Sequence, residues 1–224
     1  MTLEFLVGVT AGAVPAIAAT ASVTSGIIRR RAAIDPLTGI PNRRGLPRLD
    51  RLVRTGLRRG EQVAVVVMDL RGFKAINDTY GHEAGDEVLR LFAQRLVGCE
   101  LVLGAVRLGG DEFAAVITAP VGAGEDPWRE LVAEIEAAVS GRSVSVRNLR
   151  TQRLEQVFPE ATYGAAVARD ADTFPELLCS ADYSMYLARV GDDTICTTIG
   201  GLEVWPRNKI RPRDLRPTRR TVAV

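Results

Sequence analysis

Little in this sequence speaks for thiol or imidazole chemistry. The three cysteines, Cys99, Cys179 and Cys196, form no close pair and no metal-type spacing, which argues against a disulfide scaffold and fits a reducing compartment. Free cysteine of this kind is commonly a small core residue. The one histidine, His82, belongs to a Gly-His turn that opens a helix and is read as structural, not as a metal ligand. The net charge is only +2, too small to imply a nucleic-acid partner, and no aromatic stacking platform accompanies the basic stretch near the end of the chain. No internal repeat is visible, and nothing resembles a sensory domain. What is present is 224 residues with 46% hydrophobic and 25% charged residues, enough for one good core plus extensions.

The extensions lie at the two ends. Residues 5–28 carry no charge, a length that as a helix reaches about 36 Å against a bilayer core of about 30 Å. Arg29, Arg30 and Arg31 follow directly and Glu4 precedes, so the positive-inside rule places the N-terminus outside and the rest of the chain in the cytoplasm. A cleaved secretory signal has its positive charge first. The competing reading is an apolar helix packed on a partner or on the domain, within a cytoplasmic protein. At the other end, residues 205–220 hold seven Lys or Arg against one Asp, with Pro206, Pro212 and Pro217, the pattern of a disordered basic tail able to lie on anionic lipid. The expected division is residues 1–31 as anchor, 32–200 as globular domain and 201–224 as tail.

Within the domain, an Asp-Pro and a Gly-Ile-Pro-Asn break predict a short helix ending near Gly39 and a new one starting near Asn42. Residues 61–70 form a continuous apolar run, the mark of a strand buried on both faces. Val88, Leu89, Leu91, Phe92 and Leu96 fall at helical spacing. Residues 101–107 and 112–118 read as two strands around Gly109 and Gly110, a hairpin whose glycines permit positive φ. A helix over 127–139, a strand over 161–168, a helix over 174–189 and a short strand near Ile195 follow, and residues 141–158 are left as a loop or hairpin. This alternation predicts an α+β architecture, a mixed sheet flanked by helices, preceded by the N-terminal hydrophobic helix.

The chemistry gathers at the end of the first strand. Asp69 there, facing a hairpin that presents Asp111 and Glu112, is expected to bring up to three carboxylates around one point, a divalent-metal site suited to a nucleoside triphosphate. Gly109 and Gly110 lack Cβ atoms, so the turn can lie flat against a bulky substrate. Lys74 lies about one turn beyond Asp69, where its charge can neutralise phosphates. Asn77 and Asp86 supply the donor and acceptor types that a guanine edge requires. Each residue alone has a structural explanation, since Asp and Asn cap helices and Gly-Gly makes turns.

Together, DPLTGIPNRR (residues 35–44), MDLRGFKAINDTYGHEAGDEVLR (68–90) and RLGGDEF (107–113) resemble the three main signatures of GGDEF-domain diguanylate cyclases, in the same order and spacing. The resemblance implies a palm-like sheet of the nucleotidyl-cyclase, ferredoxin-like type. It further implies two domains facing each other as a homodimer with one GTP each, and condensation to cyclic di-GMP with Mg²⁺, Mn²⁺ being an alternative. By motif position, Asp69 and Asp111 hold metal with the Leu70 carbonyl and Glu112; Asp111, Glu112 and Lys74 are catalytic. Gly109 and Gly110 contact the nucleotide, Asn77 and Asp86 the guanine, Phe73 and Lys74 the phosphate region, and Arg189 replaces a phosphate-gripping lysine. The implied location is the cytoplasmic face of the inner membrane of a bacterium.

The chain departs from the pattern at three places. Arg71 stands where the family has a second acid, and an arginine there is expected to compete with Mg²⁺ for Asp69. Asp192 stands where a basic residue is common and is expected to repel phosphate. The product-inhibition motif, an Arg and an Asp three apart, falls on Glu100, Leu101, Val102 and Leu103 and is absent. The alternative to an active enzyme is therefore a catalytically weak domain that binds GTP or a protein partner as a scaffold.

Overall fold

A computed structural model describes residues 33–119 and 127–199. The expected N-terminal helix and basic tail lie outside the described residues. Among the described residues, no helix is long and apolar enough to cross a membrane.

The chain builds one five-stranded mixed sheet with helices on both faces. In order come α1 (Leu46–Arg58), β1 (Val63–Leu70), α2 (Phe73–Tyr80), α3 (His82–Gly98), β2 (Val102–Gly109), β3 (Glu112–Thr118) and α4 (Trp128–Ser140). After these come β4 (Val144–Arg147), β5 (Leu154–Val157), β6 (Ala161–Val167), α5 (Phe174–Val190) and β7 (Ile195–Ile199). The strand order is β2-β3-β1-β6-β7; β1 runs antiparallel to both β3 and β6, and β6 pairs with β7 in parallel. The α+β mixed sheet expected from the sequence is the observed one.

The apolar run of β1 has its cause in its central place. Ala64, Val66, Met68 and Leu70 point into a core shared with Val88, Leu89 and Phe92 of α3 and Val132 and Ile135 of α4. Val63, Val65 and Val67 point the other way, toward Leu49 and Val53 of α1 and Leu177, Ala181 and Met185 of α5. A strand covered on both faces has no polar side to alternate with. Helix α5 lies so close to β6 that a Cβ added at Gly164 would stand 2.1 Å from the Ala181 carbonyl oxygen and from the Met185 nitrogen.

Of three local readings, one differs from expectation and two agree with it. No helix ends near Gly39: the Asp35 carboxylate accepts from both the Thr38 amide (2.8 Å) and the Thr38 hydroxyl (2.7 Å), and this side-chain capture makes a turn that competes with helix. Asn42 does begin helical structure, capping a 3-10 turn, Arg43–Gly45, that runs into α1. Residues 141–158 contain the β4–β5 hairpin, closed by Asn148, whose side-chain oxygen accepts from the amides of Arg150 and Thr151.

Candidate active site

The site forms where β1 ends beside the β2–β3 hairpin. Asp69 sits directly opposite Glu112 in the β1–β3 register, and the Leu70 amide donates to the Asp111 carbonyl at 3.2 Å, so the hairpin tip is held against the end of β1. Gly109 (φ +147°) and Gly110 (φ +56°) make the turn, and a Cβ at either would meet nothing within 4 Å. Their absent side chains thus leave open space above the turn. Arg107 braces it from below, donating through Nε to the Gly110 carbonyl at 2.9 Å and through Nη1 to Asp35 at 2.9 Å. Burial works to raise the Asp35 pKa, but hydrogen bonds from Thr38 and Arg107 outweigh it and hold the carboxyl below its ordinary range.

Asp69, Asp111 and Glu112 are neighbours on adjacent strands, yet they do not close into a ready-made cluster: among the described residues no group of three or more His, Cys, Asp or Glu side chains is placed to share one ion. One of the three already has a cation beside it. The Arg189 guanidinium, from the last turn of α5, is hydrogen-bonded to the Asp69 carboxylate and neutralises it. The donor set itself, carboxylates and a backbone carbonyl, consists of hard oxygens of the kind that Mg²⁺ prefers, so the residues fit that ion once Arg189 gives way.

Arg71 does not compete for Asp69. Its amide donates to the Glu160 carbonyl at 2.7 Å, its Nε to the Thr162 hydroxyl at 2.8 Å and its Nη2 to the Asp193 carbonyl. The side chain thus points across β6 to the loop before β7. Arg129 of α4 grips the same loop, donating to the Ile195 carbonyl at 2.8 Å and to the Asp193 carboxylate at 3.0 Å. Asp192, at φ +55°, lies on the wall of a cleft of about 320 Å³ lined also by Asp69, Leu70, Arg71, Gly72, Thr162 and Arg189. The arginine network joins residues up to 122 positions apart, and nothing in the local sequence pattern announces it.

Helix α2, not foreseen as a helix, begins after Gly72 (φ +65°). Its first turn carries Lys74, exposed and without an ion pair among the described residues. Phe73 packs its partly buried side chain on the core beside Gly85. Asn77 lies on Gly85 so closely that a Cβ there would stand 2.0 Å from Asn77 Oδ1. The contact is with the residue before Asp86, and neither the Asn77 nor the Asp86 side chain is hydrogen-bonded within the described residues. His82 starts α3 after Gly81 (φ +87°), as a structural turn residue.

The site thus gathers carboxylates at the end of the central strand, a glycine hairpin against them and a side-chain amide and carboxylate to one side. The chain belongs to the GGDEF family: the family model described as diguanylate cyclase, GGDEF domain, matches residues 32–193. It is 38% identical over 164 residues to the diguanylate cyclase TpbB of Pseudomonas aeruginosa, covering 69% of this chain and 34% of that one. It is also 38% identical over 161 residues to the response regulator PleD of Caulobacter vibrioides, covering 70% and 34%. The chain therefore spans about a third of the length of these curated relatives. Among solved structures, the GGDEF domain of PA1120 from Pseudomonas aeruginosa matches with a TM-score of 0.60 at 35% identity, over 80% of this chain and 97% of that one. The coiled coil and GGDEF domain of DgcB from Caulobacter crescentus, in complex with c-di-GMP, matches in fold with a TM-score of 0.64 at 24% identity, over 88% and 100%.

Proposed function

We propose that two copies of this chain condense two molecules of GTP into cyclic di-GMP. The observation that carries the reading is the bond between the Leu70 amide and the Asp111 carbonyl, which sets the glycine hairpin against the metal-type donors at the end of β1. Asn77 and Asp86 read the guanine edge, the carboxylate accepting from N1 and the exocyclic amine. Lys74 and the free N–H groups in the first turn of α2 meet the phosphates. Asp69, Asp111, Glu112 and the Leu70 carbonyl would hold Mg²⁺, which supplies charge neutralisation on the phosphates when bound. The 3′-hydroxyl of one GTP attacks the α-phosphorus of the other, Asp111 accepts the hydroxyl proton, and pyrophosphate leaves with the electrons of the broken bond. The same step in reverse orientation closes the ring.

Each domain holds one GTP, so the active unit is a homodimer. Glu100 and Leu103 in place of the Arg and Asp of the inhibitory motif leave the product no such site, so synthesis proceeds without that feedback. The uncharged residues 5–28 followed by three arginines favour attachment to the inner membrane, with the catalytic domain in the cytoplasm. The test is product formation from GTP and Mg²⁺ at several protein concentrations, with Asp111→Ala as control. Cyclic di-GMP with a steeper than linear dependence on protein, lost by a factor of roughly 100 or more in the control, is the expected result; a folded chain without product is the contrary one.

A second reading has its own observation. Arg189 occupies Asp69 and Asp192 stands on the cleft wall, an arrangement that favours a domain that binds GTP or a protein partner without turnover. Mg²⁺-dependent GTP binding that rises sharply in Asp192→Arg, with no product in either form, is the signature of this alternative.

A further inference from the structure

The hairpin has two flanks, and the proposed nucleotide site uses only one. On the other lies a second cleft, of about 520 Å³, lined by Asp35, Asn42, Arg43, Arg44 and residues 107–110. It shares no residue with the cleft at Asp69 and Arg189. The hairpin tip, Gly109 and Gly110, lines this second cleft and not the first.

The cleft is basic, and two of its three arginines are uncommitted. Arg107 is spent on Asp35 and on the Gly110 carbonyl, whereas the side chains of Arg43 and Arg44 are exposed and make no hydrogen bond or ion pair among the described residues. Their backbone is nevertheless fixed. Asn42 bridges Arg107 in parallel, the Arg107 amide donates to the Pro41 carbonyl at 2.8 Å, and the Arg44 amide donates to Asn42 Oδ1 at 2.9 Å. The two guanidiniums are thus mounted on a rigid turn beside the most exposed part of the hairpin, with no carboxylate assigned to them. Two unpaired guanidiniums at one cleft are a site for a polyanion, and guanidinium meets phosphate oxygens through paired N–H donors.

We propose that Arg43 and Arg44 bind in trans, gripping the triphosphate of the GTP carried by the partner protomer. The inference rests on the cyclase reading and deepens it. A GTP whose phosphates lie by Lys74 and Arg189 cannot also fill a cleft beyond the hairpin. The second triphosphate must reach the hairpin from outside the protomer, and the flank these arginines line is open to it. Gripping that triphosphate aligns its α-phosphorus with the 3′-hydroxyl and holds the departing pyrophosphate, two interactions that strengthen as charge moves onto the leaving group.

The full chain carrying Arg43→Ala and Arg44→Ala tests this. Binding of a fluorescent GTP analogue is measured at a concentration where light scattering finds monomer, and the rate of cyclic di-GMP formation is measured at saturating GTP. The expected outcome is a monomer Kd within twofold of wild type, a saturating rate at least tenfold lower, partial recovery in the Arg43→Lys, Arg44→Lys form and an unchanged melting temperature. A monomer Kd that rises by the same factor as the rate falls overturns the trans assignment and makes the cleft part of the protomer's own site. An unchanged rate, or a loss that follows unfolding, overturns the inference outright. A wild-type chain that makes no product is a separate result: it removes the cyclase reading and this inference with it.

Discussion

Arg189 and Asp69, separated by 120 residues in the chain, form an ion pair that reaches into the proposed metal site. The aspartate side chain is 13% exposed and the arginine 46%, so Asp69 sits in the wall while the cation approaches from solvent. A partly exposed pair of this kind is worth only about 0–1 kcal/mol. A doubly charged ion with further oxygen ligands on Asp111 and Glu112 outcompetes it readily. Under the proposed function the pair is a resting arrangement, in which the protein carries its own counter-charge until a nucleotide and its metal ion displace it.

Removing that guanidinium separates its two roles. In Arg189→Ala, the affinity for Mn²⁺ without nucleotide, measured by calorimetry or electron paramagnetic resonance, is expected to rise a few-fold because Asp69 no longer has a competitor. GTP affinity is expected to fall by roughly tenfold, the worth of one charge-assisted contact. A metal affinity that stays at the wild-type value would mean that Asp69 is not a ligand, or that Arg189 leaves it without cost.

Gly85 leaves room for the Asn77 side chain against α3. A methyl group there collides with Asn77 Oδ1 at 2.0 Å, so Gly85→Ala is expected to push Asn77 away from Asp86 while the buried face of α3 stays packed. Loss of one hydrogen bond to the base amounts to about 1 kcal/mol. GTP binding should weaken about five- to tenfold and the preference for GTP over ATP should shrink, with thermal stability nearly unchanged. Equal loss of GTP and ATP binding would show that Asn77 does not read the base.

Glu136, on α4, faces the arginine network behind the site. Burial pushes its pKa up; Arg71 works against this, and Glu160 and Asp193 add to it. A carboxyl whose pKa is raised on folding favours the folded state while protonated, and that advantage is lost as pH rises through the shifted value. At neutral pH the charged Glu136 is thus a liability. Glu136→Gln should unfold at higher urea than wild type at pH 7, and the gap should close as pH drops below the ordinary glutamate range. A variant less stable than wild type at pH 7 would mean that attraction to Arg71 outweighs burial.

The sequence was most legible where the physics is local. The strand ending at Asp69 announces itself because a strand covered on both faces must be apolar throughout, and β1 is covered by α3 and α4 on one side and α1 and α5 on the other. The hairpin follows from Gly109 and Gly110, since few other residues accept the backbone angles of that turn. Asn77 and Asp86 were identified as a pair by residue type and motif. That they are adjacent follows from how α2 and α3 cross at Gly85, which no periodicity encodes. The β4–β5 hairpin was half-visible, because weak alternation and a run of arginines gave no buried face to read.

The residue types therefore determined by themselves the buried strand, the glycine turn, the family signatures and the stock of carboxylates and cations at the site. Only the tertiary structure decided which cation meets which carboxylate. Arg71, two residues from Asp69, turns away to Thr162 and the Asp193 carbonyl, and Arg189, 120 residues away, takes its place. Neighbours in sequence on a strand point to opposite faces or past its end, whereas partners across the sheet are set by how the last turn of α5 lands on β1 and β6. Charge pairing is short-ranged and indifferent to sequence distance, so it becomes known only when the packing of the helices on the sheet has placed the side chains.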